Sequence, residues 1–142
     1  MQALETLEDI EILFTSCHEI ANLHDCKSLK KLTMLDNGLK KISNLSPVSR
    51  TLTSLCLCDQ DISRMDYLEL PALRELFLHR NKIIEVADLG GCPRLKRLWL
   101  FQNRIAKIHG LYSVPQLEEC WLQVCSRPAY LLPASPFILE YK

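Results

Sequence analysis

At 142 residues with 48% hydrophobic side chains, the chain has the size and composition of one folded domain, which excludes wholesale disorder. Seventeen basic residues balance seventeen acidic ones, so no net charge pulls the chain toward nucleic acid or an anionic membrane. No apolar run is long enough to span a membrane, Met1 to Asp9 is acidic rather than signal-like, and the seven cysteines form no disulfide framework, so a cytoplasmic setting is expected.

Residues 1–6 form a short lead, too short for a full capping helix. From Leu7 onward the sequence repeats itself. The first unit is weak and reads Leu7, Ile10, Ile12, Thr15, Cys17, Ile20, Leu23. The second reads Leu29, Leu32, Met34, Asn37, Leu39, Ile42, Leu45, and the third Leu52, Leu55, Leu57, Gln60, Ile62, Met65, Leu68. The fourth is Leu73, Leu76, Leu78, Asn81, Ile83, Val86, Leu89, followed by Pro93. The fifth is Leu95, Leu98, Leu100, Asn103, Ile105, Ile108, Leu111, with Pro115 in the matching place. A sixth, incomplete unit begins at Leu117 with Cys120, Leu122 and Cys125. The starts at 7, 29, 52, 73, 95 and 117 lie 22, 23, 21, 22 and 22 residues apart, so a solenoid over residues 7–125 is expected.

Each column of the repeat has a physical task. The L-x-x-L-x-L stretch alternates with period two and predicts a short strand with one face inward. The polar residue at position nine (Asn37, Asn81, Asn103) sits within an apolar frame, so a buried amide ladder bonding freed backbone groups is expected, with Gln60, Thr15 and Cys125 as weaker rungs. The return segment is too short for a long helix, which predicts 3-10 or one- to two-turn helical pieces. Strands packed more closely than the returns make such a stack curve, with the strands on the concave side.

The motif L-x-x-L-x-L-x-x-N-x-I-x-x-I-x-x-L resembles the SDS22-like class of leucine-rich repeats over residues 7 to about 125. The resemblance implies an α/β solenoid: a right-handed curved stack with short parallel strands on the concave face and short helical or 3-10 returns on the convex face. Such repeats occur in a phosphatase regulatory subunit, a spliceosomal protein and ciliary or axonemal proteins. The implied mode of use is protein recognition rather than any particular partner.

Positions three, five, seven and eight of each unit are expected on the concave face. Column five then stacks Phe77, Trp99 and Trp121, with His79 and Phe101 beside them in column seven and Arg80 and Arg97 close by. Exposed aromatics with a nearby arginine have the composition of an interaction hot spot, which makes these seven residues the expected partner-binding site. The first three units offer smaller and more acidic groups, among them Asp9, Glu11, Asp36 and Asp59.

Cys17, Cys26, Cys92, Cys120 and Cys125 fall on core or ladder columns, whereas Cys56 and Cys58 are expected on the concave face with His79 beside Cys58 in the next unit. This Cys-x-Cys plus His lacks a clear fourth ligand, Asp59 being a poor one, so no metal is expected. Nor does a cation cluster flank the pair to activate a thiol. His18 and His109 lie on returns and His24 in a turn, none paired by motif with a nucleophile, so neither catalysis nor a cofactor is expected. Gly90-Gly91 is read as a turn between units, and Lys30, Lys31, Lys40 and Lys41 as solvated surface.

After Cys125 the frame breaks. Residues 126–142 carry Pro128, Pro133 and Pro136 among apolar residues, which bars a regular helix. Two readings stay open: a segment folded over the last unit as a cap, or an unrelated loose ending. Both ends look undercapped, which fits a segment or short isoform of a longer solenoid. The expected function is a monomeric, non-catalytic protein-interaction module without nucleic-acid or membrane partners. The alternative is a structural segment of a larger assembly, ciliary or axonemal by resemblance. Phosphatase-regulatory and RNA-protein adaptor roles rest on the resemblance alone, and a nuclear location also stays open.

Overall fold

The structure, a computed structural model, describes residues 2–66, 68–87, 89–124 and 138–141. A single helical turn, α1 (Gln2–Glu5), precedes the first unit. The strands follow in chain order: β1 (Asp9–Leu13), β2 (Lys31–Leu35), β3 (Ser54–Cys58), β4 (Glu75–Phe77), β5 (Glu85–Val86), β6 (Arg97–Trp99), β7 (Lys107–Ile108), β8 (Glu119–Val124) and β9 (Ile138–Tyr141). Seven of them pair in the order β1-β2-β3-β4-β6-β8-β9, every pair parallel. The architecture is a parallel-strand solenoid, with five turns linking β1 to β8.

The register joins residues that hold the same place in successive units. Asp9 pairs with Lys31, Lys31 with Ser54, Ser54 with Glu75, Glu75 with Arg97 and Arg97 with Glu119. Because the side-chain period of a strand is two, this register sends columns four and six inward together. Leu32, Leu55, Leu76 and Leu98 are buried in one column, and Met34, Leu57, Leu78, Leu100 and Leu122 in the other. Each such burial contributes about 1.5–3 kcal/mol relative to exposure. On edge strand β1, by contrast, Ile10 and Ile12 are only partly buried.

The amide ladder knits one unit to the next. The Asn81 Nδ2 group donates to the carbonyls of Leu57 (2.8 Å) and Leu78 (3.0 Å), while its Oδ1 accepts from the Ile62 N–H (3.1 Å). Asn103 repeats the pattern one unit on, donating to Leu78 and Leu100 and accepting from Ile83. Gln60 reaches further and accepts from both Asn37 and Leu39 while donating to Met34 and Cys58. Asn37 donates to Ile12 and Leu35 and accepts from the Thr15 backbone and hydroxyl. Asn37, Gln60 and Asn81 are buried as expected, whereas Asn103 is partly open. Cys125 lies outside the described residues.

The returns are less helical than expected. They hold 3-10 turns at Ser46–Val48, Leu89–Gly91 and Leu111–Ser113, and α1 is the one α-helical piece among the described residues. In two adjacent units an extended stretch precedes the 3-10 turn, and β5 pairs in parallel with β7. The local sequences Ile83-Ile84-Glu85-Val86 and Ile105-Ala106-Lys107-Ile108 are rich in β-branched residues, which suit an extended backbone better than a helical turn.

Position eight, expected on the concave face, is where the backbone leaves the strand. Phe14, Asp36, Asp59, Arg80 and Gln102 all take positive φ, between 50° and 59°. A left-handed residue there turns the chain out of the strand, and the N–H of Phe14, Asp59 and Arg80 meets the position-seven carbonyl of the next unit. Gly91 answers a different need. A Cβ on it would collide with the Leu68 carbonyl and lie 2.9 Å from the Glu69 Cα, whereas Gly90 faces open space. Of the pair, only Gly91 is demanded by packing.

Beyond the sixth unit, β9 pairs with β8, with Trp121 opposite Ile138 and Leu122 opposite Leu139. Those partners are 17 residues apart, shorter than the 21 to 23 that separate partners within the repeat. The expected break at residues 125–126 and the three prolines after it lie outside the described residues.

Candidate functional site

The outward columns of β4, β6 and β8 bring the expected aromatics together. Phe77, Trp99 and Trp121 stand opposite one another in the sheet register. Phe77 meets Trp99 edge-on with ring centroids 4.8 Å apart, and Trp99 lies tilted 5.9 Å from Trp121. In the neighbouring column His79 stacks on Phe101 at 4.5 Å with 8° between their planes, and each ring lies 6.3 Å from Trp99. Trp99 is the hub of all five rings. Edge-to-face and offset contacts at these distances are the favourable ones for aromatic quadrupoles.

These rings are less open than expected. All five are partly buried because each lies against the next, and among the described residues the most exposed large apolar side chains are elsewhere, at Tyr112 (90%) and Phe14 (72%). The arginines are also differently engaged. Arg97 is held between Glu75 (2.8 Å) and Glu119 (3.6 Å) on the flanking strands, and Arg80 binds Asp59 at 2.7 Å. Glu119 additionally accepts a 2.8 Å hydrogen bond from the Trp99 indole N–H. Glu75 and Glu119, on the expected concave columns but outside the seven expected site residues, are thus members of the site. Their shared column with Arg97 was the available signal, since same-column residues in parallel register are neighbours. Among the described residues the buried Trp121 indole N–H has no hydrogen-bond partner, a state that costs about 1–3 kcal/mol.

The expected cysteine pair is present, with one correction. Cys56 is partly open, but Cys58 is fully buried rather than facing solvent. Its thiol is roofed by the next unit, 3.2 Å from His79 Nδ1 and 3.4 Å from the Phe77 carbonyl, which accepts its hydrogen bond. The two sulfurs are 3.2 Å apart. The contact with the Cys58 sulfur holds Cys56 below its usual pKa, and the same contact, with burial, pushes Cys58 up. Burial pushes His79 down, opposed by Asp59 and reinforced by Arg80. Among the described residues no cluster of three or more His, Cys, Asp or Glu has the geometry to hold a metal ion.

Of the remaining cysteines, Cys26, Cys92 and Cys120 are buried as expected, and burial raises Cys92 to about 11 and Cys120 to about 12. Cys17 is only partly buried because it belongs to the edge unit. Among the described residues no helix is long and apolar enough to cross a membrane. Neither protein-family models nor curated proteins gave a match to this chain.

Proposed function

We propose that the chain is a leucine-rich-repeat protein of the SDS22-like kind that binds another protein on its strand face and carries out no catalysis. The observation behind this reading is the contiguous aromatic surface centred on Trp99, reaching Phe77, His79, Phe101 and Trp121. Aromatic side chains contribute large contact area with few rotors to freeze, which is why they dominate binding energy at interfaces. The salt-bridged Arg97, Glu75 and Glu119 form a polar rim beside it, the arrangement that excludes water from a hot spot. A cytoplasmic, monomeric chain fits the cysteine content and the balanced charge.

The competing reading is a structural segment whose strand face packs permanently within a larger assembly. Affinity purification with the wild-type chain and a Trp99→Ala/Trp121→Ala variant separates the two. Partners lost at unchanged solubility support recognition. Improved solubility with an unchanged partner list supports a permanently covered face.

A further inference from the structure

We propose that Cys56, Cys58 and His79 form a peroxide-sensitive dithiol, with Cys56 as the attacking sulfur, Cys58 as the resolving sulfur and His79 as the proton acceptor. The inference is independent of the binding role proposed above. Three observations carry it. The two sulfurs lie 3.2 Å apart on one strand face, and His79 Nδ1 lies 3.2 Å from the second sulfur. Accessibility divides the pair in the order the chemistry needs: Cys56 is partly open to a small oxidant and Cys58 is sealed behind it. Finally, Cys58 is the last residue of β3, the β3–β4 ladder ends at the Cys56–Phe77 pair, and Asp59 turns away with φ 54°. The second cysteine therefore has no ladder partner on the β4 side, while Leu35 of β2 still pairs with it.

The chemistry balances with hydrogen peroxide as the oxidant. The Cys56 thiolate attacks a peroxide oxygen, an S–O bond forms and the O–O bond breaks. Hydroxide leaves and combines with the proton shed by the thiol to give water. The sulfur is now a sulfenic acid, oxidised by two electrons, and the peroxide is reduced. Cys58 then attacks the Cys56 sulfur, and its proton passes to His79 Nδ1. The S–S bond forms as the S–O bond breaks, and the departing hydroxide takes the proton back from the imidazolium as water. The sum is two thiols and one peroxide converted to one disulfide and two waters. The same sulfur contact that places Cys58 for attack favours the thiolate form of Cys56, and burial of His79 favours the neutral imidazole that accepts a proton.

Closure has a mechanical cost. A disulfide needs about 2.05 Å between sulfurs and at most about 6.8 Å between Cα atoms, while two residues along a strand span about 6.6 Å. That span falls just inside the limit, so closure from 3.2 Å asks for a slight bend at the end of β3 and leaves the bond near the edge of disulfide geometry, hence readily reduced. The same bend shifts the Cys58 thiol from the Phe77 carbonyl and from His79, both part of the aromatic surface.

The test treats the folded chain with hydrogen peroxide, blocks free thiols with iodoacetamide and digests with trypsin. The peptide Thr51–Arg64 contains Cys56 and Cys58 and no other cysteine. It should appear unalkylated, lighter by two hydrogens, and return to the dithiol on reduction. In Cys58→Ser, Cys56 should instead be trapped as a dimedone adduct. In His79→Gln the disulfide should form at least about tenfold more slowly with first oxidation unchanged. Full alkylation of this peptide after peroxide, or sulfinic acid at Cys56 without closure, overturns the proposal in the wild-type chain alone. An unchanged closure rate in His79→Gln removes His79 from it.

Discussion

The imidazole of His79 lies flat on the ring of Phe101, 4.5 Å between centroids and 8° between planes, although the two residues belong to different turns of the solenoid. The stack shields one face of the imidazole while the Cys58 sulfur sits at its Nδ1. Shielding of this kind penalises the charged form, and burial is the main cause that holds His79 below the ordinary histidine value.

A pH dependence follows from that shift. The folded pKa is below the unfolded value of 6.5, so between the two the unfolded chain binds more protons. Stability is complete above the unfolded value and falls as pH drops toward the folded one. Denaturant midpoints measured from pH 8 to pH 5 should decline in the wild type. In His79→Phe, which keeps a ring against Phe101, the decline should be shallower. Parallel profiles for the two chains contradict the assignment.

The amide ladder predicts a large penalty at a single polar residue. Asn81→Ala leaves the carbonyls of Leu57 and Leu78 and the N–H of Ile62 without the side chain that bonds them. Each unsatisfied buried group costs about 1–3 kcal/mol, partly relieved by entering water, so a loss of about 2–4 kcal/mol is expected. Urea unfolding monitored by circular dichroism measures it, and a loss under about 0.5 kcal/mol, the range of ordinary surface substitutions, contradicts the ladder.

At Phe14 the backbone predicts a gain. Its φ of 54° is unfavourable for a bulky residue, and its ring is mostly in solvent. Asparagine tolerates the left-handed region better, so Phe14→Asn should stabilise the chain by up to about 1 kcal/mol. The readout is the thermal midpoint, which should rise; a fall would show that the exposed ring makes contacts that outweigh the strain.

The glycine pair should divide sharply. Gly91→Ala drives a methyl group into the Leu68 carbonyl and should cost about 1–3 kcal/mol. Gly90→Ala meets nothing and should be neutral or stabilising by a few tenths of a kcal/mol. Comparing the two unfolding midpoints checks the close approach of neighbouring returns, and equal effects contradict it.

The strand columns were legible because a period-two alternation recurs every 21 to 23 residues, and a register that joins equal positions then follows from packing. The ladder was legible because Asn37, Asn81 and Asn103 interrupt an apolar frame at one fixed position. The left-handed turn at position eight was not. Its occupants, Phe14, Asp36, Asp59, Arg80 and Gln102, share no side-chain property, because the constraint acts on the backbone. His79 was placed beside Cys58, but the sealing of that thiol was hidden, since it depends on how closely the imidazole and the Phe77 carbonyl of the next unit approach it. The aromatic columns were foreseen. Their mutual burial, and the capture of Arg97 by Glu75 and Glu119, depend on distances between strands that a single repeat does not contain.

The chain has two tryptophans, and both belong to the aromatic surface, so their emission reports on that surface alone. The most direct test is a fluorescence titration of the folded chain with a partner recovered by affinity purification. The account predicts a saturable change in tryptophan emission, with affinity for the Trp99→Ala variant, followed by calorimetry, weakened at least about thirtyfold, as loss of a 2 kcal/mol hot spot requires. Saturable binding with unchanged emission and undiminished affinity in the variant would contradict it and move the partner to another surface.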